Sequence, residues 1–231
     1  MQFVETDESL LPLGGAAVCL LPTRNNTFLP LPAKVDEDEP TLSGVIFCFL
    51  PLPVHSGLPL HINGAFAVAS NRRHLQSKVE DDKRCHGFEW NKALMQDSVL
   101  SAYFSLLEDI KSIAPDDGTY KFHSLWPKAD EVHGDCWPIL QSFYEQLSFG
   151  DRALFSADGN TWVDIHHVVF LHPGFRFEPQ IGDMAFAVLQ TLAKADEVVV
   201  DLPADVFQSF HDCGLREVVQ ARTYDKRRVF P

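Results

Sequence analysis

The segment from residue 44 to residue 75 limits most tightly what this chain can fold into. Val45-Ile-Phe-Cys-Phe-Leu50 is an unbroken apolar run between Gly44 and Pro51, and such a run suits a strand covered on both faces. Residues 44–52 are therefore expected to form a central strand buried on both sides. The next stretch, 51–59, has prolines at 51, 53 and 59 with Ser56 and Gly57 between them, which predicts a loop. In 61–68, Ile62, Phe66 and Val68 alternate with less apolar neighbours, the pattern of a half-buried strand. A strand, a Pro-rich turn and a second strand ending near two arginines result.

Around this unit the chain reads as sheet first and helix afterwards. Residues 15–21 and 27–31 are short strands interrupted by Pro22, Pro30 and Pro32, and proline confines them to sheet edges or strand ends. Residues 34–40 form an acidic loop and 70–91 a polar, mixed-charge one. Leu94, Met95, Val99, Ala102, Tyr103, Leu106, Ile110 and Ile113 recur at helical spacing until Pro115-Asp-Asp-Gly118 stops them, so a long amphipathic helix covers the first sheet.

A boundary is expected there, giving domains 1–117 and 118–231. In the second, Asp135 caps a helix that tolerates Pro138 in its first turn, runs to about Leu147 and ends at Gly150. Asp158-Gly159-Asn160 joins strands 153–157 and 161–171 in a hairpin. Ile181, Met184, Val188, Leu189 and Leu192 mark another helix, followed by a strand at 197–200, a helix from Pro203 closed by Gly214, and a strand around Val218. The fold class is α+β: a sheet-rich N-terminal half covered by a long helix, then a mixed α/β half.

Composition narrows the function. The 231 residues carry 19 Lys and Arg against 32 Asp and Glu, a formal charge of −13, which repels phosphate backbones and anionic lipid and argues against nucleic acid or membrane partners. The five cysteines, at 19, 48, 85, 136 and 213, are odd in number and scattered without a C-x-x-C pair, a pattern of reduced thiols in the cytoplasm. Residues 1–10 carry Glu5, Asp7 and Glu8 where a signal peptide carries positive charge. The abrupt strand-like start after them suggests either a piece of a larger protein or a short product of one.

No constellation completes a catalytic or metal site. Asp164, His166 and His167 are read as a half-exposed strand with Asp164 and His166 on one face, and His133-x-x-Cys136 lacks further ligands. Cys48 belongs to the core. Cys85-His86, beside Lys83 and Arg84, is the one pair that would suit a thiol-dependent enzyme, without an orienting acid or oxyanion motif. His172-Pro173-Gly174 departs from the J-domain turn in its third residue. No phosphate-binding glycine loop or serine nucleophile elbow occurs, so no cofactor is expected. Asn71-Arg72-Arg73-His74 is the densest positive point. It is either a phosphate or carboxylate contact or a solvated loop neutralising Glu80, Asp81 and Asp82.

A resemblance bears on that choice. Phe47-Cys-Phe-Leu-Pro-Leu-Pro-Val-His-Ser-Gly-Leu-Pro-Leu-His-Ile-Asn-Gly-Ala-Phe66, then Ser70-Asn-Arg-Arg-His-Leu75 and Trp90-Asn91, with Pro12-Leu-Gly-Gly-Ala-Ala17 upstream, resemble the sacsin family of giant repeat-containing chaperones. The resemblance implies a β-α-β unit like a middle domain, following an ATPase-like domain similar to that of the ninety-kilodalton heat-shock chaperone. Related ATPases take a basic residue from such a domain to their γ-phosphate, which here implies Arg72 or Arg73. Asn63, Gly64, Asn71, Trp90 and Asn91 become motif positions with structural roles. Gln76 departs from the family, which tends to place Trp after the Arg-Arg-x-Leu element.

The implied function is a non-enzymatic chaperone or co-chaperone module in the cytoplasm. It docks protein clients or neighbouring chaperone domains. The alternatives are a structural scaffold spacer and a thiol-dependent enzyme using Cys85 and His86.

Overall fold

The computed structural model describes residues 11–22, 28–31, 44–77, 86–113 and 122–224. Strand β1 (Gly14–Ala17) pairs antiparallel with β6 (His61–Gly64), which pairs in parallel with β4 (Val45–Cys48), and β4 turns back into β5 (Leu50–His55). The sheet order is β1-β6-β4-β5. Strands β2 (Cys19–Pro22) and β3 (Phe28–Leu31) form a separate antiparallel pair.

One helical rod lies on this sheet: α1 (Gly87–Leu94), a π-helical turn (Met95–Val99) and α2 (Leu100–Ile113). It buries the sheet's inner residues, Ile46, Cys48, Ile62 and Gly64. Helix α2 in turn meets α3 (Trp137–Ser148) through aromatic rings, with Phe104 stacked on Phe143 at 4.9 Å and Trp126 edge-on to Phe143 at 5.6 Å. The hydroxyls of Tyr103 and Tyr144 donate to the Leu125 and Pro127 carbonyls at 2.6 and 2.7 Å, so two large side chains enter the interior without an orphaned polar atom.

The remaining elements build a second, all-parallel sheet. Strand β7 (Val168–Leu171) lies between β8 (Val198–Val200) and β9 (Thr223–Tyr224). Val168 and Phe170 join the main core with Phe207, Phe210 and Val219 from α5 (Ala204–Asp212) and α6 (Arg216–Ala221). Val169 and Leu171 face Leu189 of α4 (Pro179–Leu192). Coverage on both faces is what a parallel strand requires. The fold is α+β, as the sequence implied.

Several elements differ from expectation. The strand expected at 15–21 divides at Val18, and its halves enter different sheets. The apolar run 45–50 is not one strand: it reverses at Phe49 and alternates in burial rather than being covered on both faces. It is central, lying between β6 and β5. Pro51 and Pro53 lie in an edge strand, where a missing N–H can face away from the ladder, instead of in a loop. Regular pairing of the 61–68 strand ends at Gly64, with Val68 meeting only Leu75.

Residues 87–91, expected in a loop, begin α1. The turn Gly134–Cys136 precedes α3, whose N-cap is Cys136 and not Asp135. The expected hairpin narrows to one bridge, Phe155 to Val163, because β7 takes parallel partners instead. Around Val218 the chain is helix α6, and the strand follows at Thr223.

Candidate docking site

The chain reverses between β4 and β5 around a single residue, with Cys48 opposite Leu50. Phe49 therefore adopts φ 60 and leaves its ring 82% exposed. A side chain other than Gly, Asn or Asp in the left-handed region is strained by about 1–3 kcal/mol and persists only where surrounding contacts enforce it. One such contact is Arg72, itself at φ 54, whose guanidinium donates to the Cys48 carbonyl at 3.3 Å. Among the described residues these are the two non-glycine positions with positive φ. The structure puts them together.

The loop that carries Arg72 is built from short backbone bonds. Ala69 N–H donates to His74 O at 3.0 Å, Arg72 N–H to Ala69 O at 2.8 Å, and the Asn71 carboxamide oxygen accepts from Arg73 N–H at 2.9 Å. Asn71 thereby shapes the turn, as a short polar side chain readily does. The Arg73 side chain is exposed and makes no hydrogen bond or ion pair among the described residues. Of the two arginines, then, Arg72 clasps the neighbouring turn and Arg73 offers an uncommitted guanidinium.

Helix α1 holds this loop in place. Trp90 Nε1 donates to Ala65 O at 2.8 Å, while Asn91 accepts from Ala67 N–H at 2.7 Å and donates to Ala67 O at 2.8 Å. The chain leaving β6 is thus pinned on two successive alternate residues before it enters the arginine loop. Gly64 faces the same helix: a Cβ there would lie 2.9 Å from the Phe66 ring and 3.0 Å from Leu94. Asn63 points the other way, onto the open face.

On that face Asn63, His61, Phe47 and Phe49, with the small residues Gly15, Ala16 and Ala17, line a shallow depression of about 440 Å³. His61 Nδ1 accepts from Val45 N–H at 2.9 Å, and its ring stands edge-on to Phe47 at 6.0 Å. Further apolar side chains are exposed on the N-terminal segments: Leu11, Leu13, Leu20, Leu21, Phe28 and Leu50. Neither Phe49 nor His61 stood out as a site residue in the sequence. The signal for Phe49 was Pro51 and Pro53 two residues apart, which marks an edge strand and so a reversal before it.

The other candidates do not converge. Asp164, His166 and His167 lie in a turn rather than on a strand, with Asp164 Oδ1 accepting from His166 N–H and lying 2.8 Å from His167 Nδ1. Burial works to raise the Asp164 pKa, but these bonds prevail and lower it. Cys136 is buried and its thiol is pushed up to about 12 by that burial, while His133 is exposed and tied through its N–H to Ser56 O. Cys48 is a core residue whose thiol faces the Phe66 carbonyl. Cys85 lies outside the described residues, as do Glu80, Asp81 and Asp82, and His86 is the N-cap of α1. Among the described residues no three His, Cys, Asp or Glu side chains group as metal ligands, and no helix is long and apolar enough to cross a membrane.

Comparison with known proteins gives one kinship. Human sacsin is 31% identical over 196 residues, which cover 81% of this chain and 4% of sacsin's length. No family model matches the chain, and no solved structure matches it.

Proposed function

Because the chain is a sacsin-like module, similar along most of its own length to a small part of that protein, we propose that it is a non-enzymatic docking module of a cytoplasmic chaperone system. Its open β1-β6-β4-β5 face seats the ATPase-like domain implied by the family resemblance. One observation carries this reading: Phe49 and Arg72 are held together in left-handed backbone at the rim of an apolar depression, with the Phe49 ring exposed. Strain at an exposed aromatic gains nothing for the folded chain alone, whereas a preordered aromatic anchor lowers the cost of binding.

Within that reading the side chains divide the work. Phe49 enters a pocket of the neighbouring domain. Arg72 keeps the anchor in position. Arg73 meets a carboxylate or phosphate of the occupant, its planar fork being suited to either. Such a module needs no nucleotide of its own and modulates a neighbour by contact.

The test is a hydrogen-exchange footprint of this chain with and without a separately expressed sacsin-type ATPase-like domain. Protection is expected at residues 47–50 and 71–73. A footprint confined to other surfaces, or none, overturns the reading.

A further inference from the structure

The open face of β6 carries two polar side chains that the fold leaves uncommitted. His61 and Asn63 alternate with the buried Ile62 and Gly64, so both stand on the side away from the helical rod. His61 Nδ1 accepts from Val45 N–H at 2.9 Å, a bond that requires a bare Nδ1 and so puts the hydrogen of the neutral ring on Nε2. That Nε2 is neither buried nor hydrogen-bonded among the described residues. The ring is also held edge-on to Phe47 at 6.0 Å. The backbone of β4 thus fixes His61 as an N–H donor in a set place. The Asn63 carboxamide is exposed and makes no hydrogen bond among the described residues, which adds a second donor and an acceptor.

The surroundings define what can meet this pair. On the β1 side the residues opposite Asn63 and His61 are Gly15 and Ala17, too small to rise over the face. On the β4 side Phe47 lies opposite Asn63, and Phe49 lines the same depression of about 440 Å³. A trough along β6 results. Alternate residues of a strand are about 6.7 Å apart, and an extended backbone lying along the trough repeats its carbonyls at the same interval. A helix cannot answer the pair in this way, because its carbonyls are bonded within it except in the last turn. Charge selects further. His61 is the one ionisable residue lining the depression, and the chain as a whole carries −13, which disfavours a carboxylate there and favours neutral peptide carbonyls.

We infer that His61 and Asn63 are the specificity determinants of this face, and that its occupant is an extended backbone segment lying along β6. One carbonyl of that segment accepts from His61 Nε2–H, and the carbonyl two residues on accepts from the Asn63 amide. The inference rests on the docking role of the face and adds what the neighbouring domain must present to it.

Two substitutions separate the two nitrogens of His61. In His61→Asn the carboxamide oxygen takes the place of Nδ1 and keeps the Val45 N–H bond, while nothing replaces Nε2. In His61→Gln the longer carboxamide brings an N–H near the place of Nε2 and gives up the Val45 bond. Titration with the sacsin-type ATPase-like domain is expected to show His61→Asn binding about fivefold or more weakly. His61→Gln is expected within about twofold of the unmodified chain, although thermal denaturation ranks it the less stable of the two. Asn63→Asp, which removes the amide donor, weakens binding by a similar factor to His61→Asn. Long-range proton–nitrogen spectra of the chain alone place the His61 hydrogen on Nε2, and hydrogen exchange of the bound domain shows protection on a strand or extended loop. Hydrogen on Nδ1, equal affinity for all these chains, equal loss in His61→Asn and His61→Gln, or protection confined to helices overturns the inference while leaving docking in place. No binding by the unmodified chain overturns the docking reading itself, and the inference with it.

Discussion

Asn91 is 4% exposed and commits both polar atoms of its side chain to the peptide groups of Ala67. Gln76 N–H also reaches Ala67 O, so replacing Asn91 orphans chiefly the Ala67 N–H. Asn91→Leu is expected to destabilise the chain by about 1–3 kcal/mol, read from urea denaturation. Lys92→Ala, on the exposed side of the same turn, stays within about 0.5 kcal/mol. Phe49 behaves in the opposite sense. With its ring exposed and its φ at 60, Phe49→Gly relieves strain, so the midpoint of denaturation rises by up to about 1 kcal/mol in equivalent stability while docking is lost. A fall in stability would mean that the turn is held by packing of the ring.

The π-helical turn Met95–Val99 carries strand β1, whose Gly15, Ala16 and Ala17 line the depression. A Cβ on Gly14 would lie 2.4 Å from the backbone of Ser98 and Val99, whereas one on Gly15 would meet nothing closer than 3.8 Å. Strand β1 therefore rests directly on the turn, and Ser98 Oγ fastens it by donating to Pro12 O at 2.8 Å. Gly14→Ala must lift the strand and is expected to cost about 2 kcal/mol or more, with Gly15→Ala near neutral. Equal thermal denaturation of the two variants would contradict the contact.

Much of this architecture was legible because apolar spacing reports which face is covered. Leu94 to Ile113 gave the long helix, and Ile181 to Leu192 gave α4 without revealing that only Leu189 of its five apolar residues is buried. The reversal at Phe49 was not legible, since a continuous apolar run reads the same whether it stays straight or folds back, and the turn depends on Arg72 more than twenty residues away. Thr161 to Leu171 misled for a related reason: its turn chemistry is real, with Asp158 accepting from Asn160 and Thr161 N–H, but β7 finds its partners in strands that come later in the chain. In the site itself, Asn71, Arg72 and Arg73 stood out by charge density and Trp90 and Asn91 by resemblance, and only the structure separates the clasping Arg72 from Arg73, whose guanidinium has no partner among the described residues.

At the scale of the whole molecule, one apolar cluster runs from Ile46 and Ile62 of the first sheet through Trp126 and Phe143 to Phe210 and Val219. His123 is enclosed within it, edge-on to Trp126 at 4.8 Å, with Nε2 buried and without a hydrogen-bond partner among the described residues. Burial lowers its pKa from 6.5 to about 4. Well above pH 6.5 the ring is neutral folded and unfolded, and contributes no pH dependence. As pH falls from 6.5 to about 4 the unfolded chain binds a proton that the folded chain does not, so stability declines, by about 3 kcal/mol at most. His123→Phe is expected to flatten that part of the stability profile between pH 7 and pH 5. A slope equal to the parent's would place the titration elsewhere.

The claim that governs the rest is that Phe49 and Arg73 form a docking surface on a scaffold that stays intact without them. Isothermal titration of the unmodified chain, Phe49→Ser and Arg73→Ala with a sacsin-type ATPase-like domain measures it most directly. The account predicts saturable binding by the unmodified chain and an affinity at least about tenfold weaker for Phe49→Ser. For Arg73→Ala it predicts weaker binding together with a reduced dependence on salt. Equal affinity for all three chains, or no binding by any of them, would contradict it.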